Sequence, residues 1–133
     1  MAGLDTEKDV KRAVKRLLTR HGWFWWMPAA NGFGQVGVAD FCALKAGVFL
    51  ALETKKAPRK PTAQQVKFLR RVTDEGAFGI VVSDRTLTHL EAWLVAFDVS
   101  VSHVSKRETP PAEAGAELID CLAVLTAPVR EAP

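Results

Sequence analysis

Three observations in this 133-residue chain predict an α/β fold with a mixed central sheet flanked by helices. Apolar residues recur at helical spacing over 6–21. Two strand-like runs, 38–45 and 48–55, flank the turn pair Ala46-Gly47. A short apolar run, 78–83, lies between two further helical segments. The expected order is helix, three strands, helix, strand, helix.

Each element has a local reason. In the first helix Val10, Ala13, Val14, Leu17 and Leu18 form one stripe, while Lys8, Lys11, Arg12 and Lys15 fall elsewhere on the wheel. Asp5 or Thr6 can cap its start, with Asp9 three residues after Thr6, and Gly22 ends it. Trp23 to Met27 reads as a short aromatic strand stopped by Pro28. Residues 31–37, with three glycines, read as a loop. Pro58 and Pro61 bracket the basic link Arg59-Lys60. A second helix is expected from Thr62 to Glu75 with Val66, Leu69 and Val72 inward. Phe78 to Ser83 suits a buried strand. Asp84 is expected to cap a third helix over 86–97. Beyond Asp98, Val99 to Val104 alternates with serine as an edge strand would. Residues 105–117 read as a linker, and Leu118 to Leu125 as a short apolar helix. The domain division expected is 1–98 and a C-terminal extension, 99–133.

Composition narrows the class. The chain is 48% hydrophobic and 25% charged, ordinary for a globular protein. No apolar run reaches the ~18 residues of a membrane-spanning helix. The start, MAGLDTEKDVKR, lacks an apolar signal-peptide core, so a cytoplasmic protein is expected. Cys42 and Cys121 make no zinc framework and are expected to be reduced. Phosphate-binding loops and GxSxG elbows are absent from the sequence. The net charge of +3 hides an asymmetry. Residues 1–71 hold 14 Lys+Arg against 5 Asp+Glu; residues 72–133 hold 4 against 10. A basic half suits a polyanion such as nucleic acid, although solvated helix faces would look alike.

The chemistry lies in the hairpin. If Ala46-Gly47 is a two-residue turn, paired positions sum to 93, which sets Asp40 opposite Glu53. Cross-strand neighbours share a face with Cβ atoms ~4.5–5.5 Å apart. Two facing carboxylates repel unless a cation or proton joins them, and Mg²⁺ or Mn²⁺ suits such hard oxygens. Lys55 points from the same face as Glu53, and the carbonyl of Thr54 between them is a further candidate ligand. A metal there would activate water, and an ammonium would stabilise developing phosphate charge. The competing reading is a surface ion cluster, poorly suited to a strand flanked by Phe49, Leu50, Ala51 and Leu52. Glu7 continues the stripe of Val10, Val14 and Leu17. It is either another carboxylate for the metal or a first-turn acid favoured by the helix dipole. Gln65 either closes a capping box with Thr62 or holds water or phosphate near Lys55. His21, His89 and His103 lack metal-ligand spacing. The Trp23–Trp26 cluster is more often core than a base-stacking platform.

Gly37-Val38-Ala39-Asp40, Leu52-Glu53-Thr54-Lys55 and Thr62-Ala63-Gln64-Gln65 with Phe68-Leu69 together resemble the VRR-nuclease family of the PD-(D/E)xK superfamily. The resemblance covers about residues 6–97 and implies a restriction-endonuclease-like core. It assigns metal binding to Asp40, Glu53 and the Thr54 carbonyl, and the motif lysine to Lys55. It matches Gln65 and Glu7 to the family's helical glutamine and first-helix acid. Ala39 replaces a proline often found before the motif Asp. The implied activity is Mg²⁺- or Mn²⁺-dependent hydrolysis of DNA, on Holliday junctions, flaps or other branched structures. A homodimer in a bacterial or phage-infected cell is also implied. Lys11, Lys15, Lys56, Arg59 and Lys60 are the expected DNA contacts. The alternatives are an inactive nucleic-acid-binding module on the same fold and a sequence-specific restriction-type nuclease.

Overall fold

The computed structural model describes residues 3–29 and 37–104, with side chains as far as Ser102. Met1–Ser102 form one compact unit, distinct from His103–Pro133. The elements run α1 (Glu7–Arg20), β1 (Phe24–Trp26), β2 (Phe41–Lys45), β3 (Val48–Lys55), α2 (Ala63–Asp74), β4 (Phe78–Ser83) and α3 (Leu87–Val104). This is the expected order. The sheet order is β1-β2-β3-β4. The first two pairings are antiparallel and β3–β4 is parallel, so the sheet is mixed.

The turn sets the register on which the site depends. Ala46 and Gly47 both have positive φ, 51° and 77°. That is the backbone of a two-residue hairpin whose twist matches its strands. The ladder then pairs Lys45 with Val48 and runs to Phe41 opposite Leu52, as expected. Alternation sorts β3 onto two faces. Leu50 and Leu52 join Phe41, Ala43 and Val82 against Val10, Val14, Leu17 and Leu18 of α1 and Leu90 and Leu94 of α3. Ala51 faces α2 through Leu69, with Phe49, Phe68 and Val72 packed alongside and Ala39 beneath. Phe68, rather than Val66, completes the inward stripe of α2.

Several expectations are corrected. The strand expected from Val38 begins at Phe41. Gly37 takes φ +81° with no room beside the backbone of Gln64 in the first turn of α2, and Asp40 lies in a bend. The edge strand expected at Val99–Val104 is the end of α3. Its serines mimic strand alternation, but the hydroxyls of Ser100 and Ser102 bond back to the carbonyls of Ala96 and Val99, which a helix permits. The division expected at 98/99 thus falls inside a helix. Asp84 does not cap α3: its carboxylate accepts from the backbone N–H of Ala57 (2.8 Å) and from Lys56 Nζ (2.8 Å). The carbonyl of Thr86 takes the first helical bond of α3, from Leu90.

The aromatic segment divides between core and surface. Trp23 is buried against Trp93 and Phe97, and Trp25 packs on Phe41, whereas Phe24 is 69% exposed. Cys42 is a buried free thiol, raised above its ordinary pKa by burial. Away from the β3 carboxyl end, Asp98 of α3 ties His21 at the end of α1 to Lys45 at the hairpin. Among the described residues no helix is long and apolar enough to cross a membrane. The linker expected at 105–117 and the helix expected at 118–125 lie outside the described residues.

Two substitutions probe this frame by urea denaturation. Leu94→Ala, at a fully buried position, should cost about 2–5 kcal/mol through lost burial and a residual cavity. Gly37→Ala should cost more than about 1 kcal/mol, because a Cβ at positive φ would meet the Gln64 backbone at 2.9 Å.

Candidate active site

Strand β3 carries its charged residues into the interior. Glu53 is 1% exposed and Lys55 7%. Both stand on the α2 face by alternation from Ala51. A carboxylate so placed must be compensated, because desolvation penalises its charge. Its Oε1 accepts from Gln65 Nε2 at 2.6 Å and pairs with Lys55 Nζ at 3.3 Å. Its Oε2 accepts from the backbone N–H of Asp40 at 3.2 Å.

Gln65 closes the expected capping box with Thr62 and also reaches Glu53, a contact the sequence did not indicate. Thr62 caps α2: its hydroxyl accepts from Gln65 N–H at 3.2 Å. Gln65 Oε1 in turn accepts from Thr62 N–H at 2.8 Å. A backbone N–H needs an acceptor, so the amide oxygen must face Thr62 and the amide NH₂ must face Glu53. The capping box thereby fixes both the rotamer and the polarity of the group that meets the buried carboxylate.

Asp40 stands one residue beyond the end of the β2–β3 ladder. There its carboxylate replaces the missing strand partner. Oδ2 accepts from Thr54 N–H at 3.0 Å and from the Thr54 hydroxyl at 2.6 Å. The side chain therefore turns toward Thr54 and α1, rather than continuing the ladder beside Glu53 as the register alone suggests. The N–H and C=O of one strand residue leave on the same side. The Thr54 carbonyl is thus directed to the side on which Asp40 lies. Asp40 Oδ1 faces Lys11 Nζ of α1 at 3.4 Å. Lys11 also reaches Glu7 Oε1 at 3.6 Å, and Arg59 approaches Glu7 Oε2 at 3.8 Å.

The electrostatics follow from this arrangement. Burial pushes the Glu53 carboxyl above the usual range, the neighbouring Asp40 charge adds to the effect, and Lys55 opposes it. Asp84 and Asp98 are held low, chiefly by their hydrogen bonds from Lys56 and Lys45 respectively. A raised carboxyl pKa means that the ionised form is disfavoured, chiefly by burial, and a proton or a cation would relieve it.

Asp40, Glu53, Thr54, Lys55 and Gln65 form one connected network. Glu7 joins it only through Lys11, and among the described residues no three His, Cys, Asp or Glu side chains cluster as a metal cage. Lys15 lies on α1, one turn beyond Lys11, and is half-buried; Lys60 is exposed. Arg59 is exposed beside Glu7, and Lys56 is engaged by Asp84. The contact of Lys11 with Asp40 and the anchoring by Asp84 were not foreseen. The i,i+4 spacing of Glu7 and Lys11 signals their own pairing and not the reach of Lys11 to Asp40.

A solved structure described as a VRR_NUC domain superposes on this chain with a TM-score of 0.50 and 24% sequence identity. The match covers 64% of this chain and 94% of that one. The chain therefore has the fold of a VRR_NUC domain, the α/β core that the motif pattern led one to expect. No family model and no curated protein matches the sequence.

The raised pKa of Glu53 has a measurable consequence. Below the unfolded-state value, near 4.5, Glu53 is protonated in both states and adds no pH dependence. As pH rises, the unfolded chain ionises first, so the folded state loses stability until the folded-state pKa is passed. In metal-free urea melts from pH 4.5 to 8, wild-type stability should fall relative to Glu53→Gln. Parallel curves would show that Glu53 titrates as an ordinary carboxylate.

Proposed function

We propose that this protein is a Mg²⁺- or Mn²⁺-dependent endonuclease that hydrolyses DNA phosphodiester bonds in branched, junction or flap structures. The carrying observation is the buried Glu53 carboxylate, raised in pKa beside Asp40 and bracketed by Lys55 and Gln65. A surface ion cluster does not account for it, because Glu53 and Lys55 are taken out of water together. The VRR_NUC fold supports the same reading.

The donor set fits a hard dication. Asp40 Oδ1 and Glu53 Oε2 each retain lone-pair capacity, and the Thr54 carbonyl is directed to the same side. Mg²⁺ commonly binds through one or two carboxylates and keeps several waters, so a three-acid cage is not required. Asp40, Glu53 and the Thr54 carbonyl would hold the ion, which supplies charge neutralisation of the phosphate and an acidified water when bound.

The protein's own groups divide the remaining work. Thr54 holds Asp40 in place through two hydrogen bonds. Gln65, locked by the capping box, holds Glu53. Lys55, fixed on a rigid strand, supplies an ammonium for the charge that develops on the phosphate. Arg59 and Lys60, in the link that follows β3, lie four and five residues beyond Lys55 and suit the flanking phosphates, with Lys15 on α1. A homodimer would present two such centres to two strands of a symmetric junction. The proposed nuclease unit is the compact unit Met1–Ser102.

Labelled four-way junction, flap and plain duplex, incubated with Mg²⁺, Mn²⁺ or EDTA, test the proposal. Cutting should require the dication and favour the structured substrates. Asp40→Ala should abolish cutting, and Lys55→Ala should lower kcat by about 10²–10³. Glu53→Gln should bind DNA at low salt without cutting it, with affinity falling steeply as salt rises. Cleavage by Asp40→Ala and Lys55→Ala at the wild-type rate would end the nuclease reading.

A further inference from the structure

Lys11 touches the candidate centre without belonging to its motif. Its Nζ lies 3.4 Å from Asp40 Oδ1 and 3.6 Å from Glu7 Oε1, and its side chain is 30% exposed. Asp40 Oδ2 is committed to the Thr54 N–H and hydroxyl. Oδ1 is therefore the oxygen available to a cation, and Lys11 stands at it. The first helix projects this ammonium toward the centre, while Lys55 is bound to Glu53 on the α2 face.

We infer that Lys11 is an internal counterion switch: it neutralises Asp40 while no dication is bound, and is released to the substrate phosphate when one arrives. This rests on the nuclease reading above and adds a positioning and regulatory residue to it. The exchange breaks one ion pair and forms a carboxylate–dication contact. It involves no covalent or proton transfer. An ammonium and a dication on the same carboxylate oxygen repel, so occupancy by one weakens the other. Glu7, four residues earlier on the same helix face, keeps the freed ammonium near α1. Arg59 approaches the far oxygen of Glu7 at 3.8 Å. The site thus acquires a second cation for phosphate only once the dication has replaced the first.

Calorimetric titration of the full chain with Mg²⁺ and Mn²⁺, without DNA, tests this through Lys11→Met and Lys11→Arg. Removing the competing charge should tighten dication binding by about three- to fivefold in Lys11→Met, the size expected of a partly exposed ion pair. Lys11→Arg should remain within twofold of wild type. In Ca²⁺, used as a probe dication in the binding assay, Lys11→Met should bind duplex DNA more weakly, with a salt slope smaller by about one. Circular dichroism melts report whether each variant folds. A folded Lys11→Met that binds the dication no more tightly than wild type would overturn the switch while leaving the nuclease reading intact. A wild-type protein that takes up neither ion and cuts no substrate would remove both.

Discussion

A carboxylate held out of water at the end of β3 constrains everything around it. Glu53 cannot be buried alone, because an uncompensated charge in a low-dielectric site is destabilising by several kcal/mol in order of magnitude. Its compensation comes from three parts of the chain. Lys55 arrives two residues later on the same strand face, Gln65 from the start of α2, and the Asp40 peptide from where β2 leaves the sheet. The positions of α2 and of the bend at Asp40 are therefore bound to this one side chain. Even so, burial and the Asp40 charge outweigh Lys55, and the carboxyl remains raised. The protein retains an electrostatic cost at the point where a cation would relieve it. Shifts of this kind cluster at functional sites and also occur in buried ion-pair networks.

The two helices beside the site hold it in different ways. Through Gln65, α2 acts with a group whose orientation is set by its own N-cap, so helix initiation and site geometry are one event. Close packing of Gly37 against Gln64 ties the approach to Asp40 to the same turn. Through Lys11 and Glu7, α1 acts with long side chains that are partly exposed. The site thus has a rigid acid–amide–lysine group on one side and adaptable charges on the other.

The fold was legible where local chemistry decides it. Helical periodicity, the Thr6–Asp9 and Thr62–Gln65 capping boxes, and the Ala46-Gly47 turn each involve residues only a few positions apart. The turn sets the register to Leu52, and alternation along β3 sets Glu53 and Lys55 on one face. The pairing of Asp40 was legible only to its position. That its carboxylate would take over the Thr54 N–H depends on where the ladder ends, which local sequence does not state. Lys11 was read as a phosphate contact, because how α1 docks against the sheet end is a tertiary fact. The strand expected at Val99–Val104 shows the opposite failure. A valine–serine alternation has a period of two in sequence, yet the preceding helix continues through it, with the hydroxyls satisfied by its own carbonyls.

The central claim is that Asp40, Glu53 and the Thr54 carbonyl form one dication site. Anomalous diffraction from crystals of the protein soaked in Mn²⁺ tests it most directly. A single strong peak is expected within coordination distance of an oxygen from each of the three residues, with the Lys11 ammonium withdrawn from Asp40. Manganese bound elsewhere, with Asp40 still paired to Lys11 and Glu53 untouched, would contradict it.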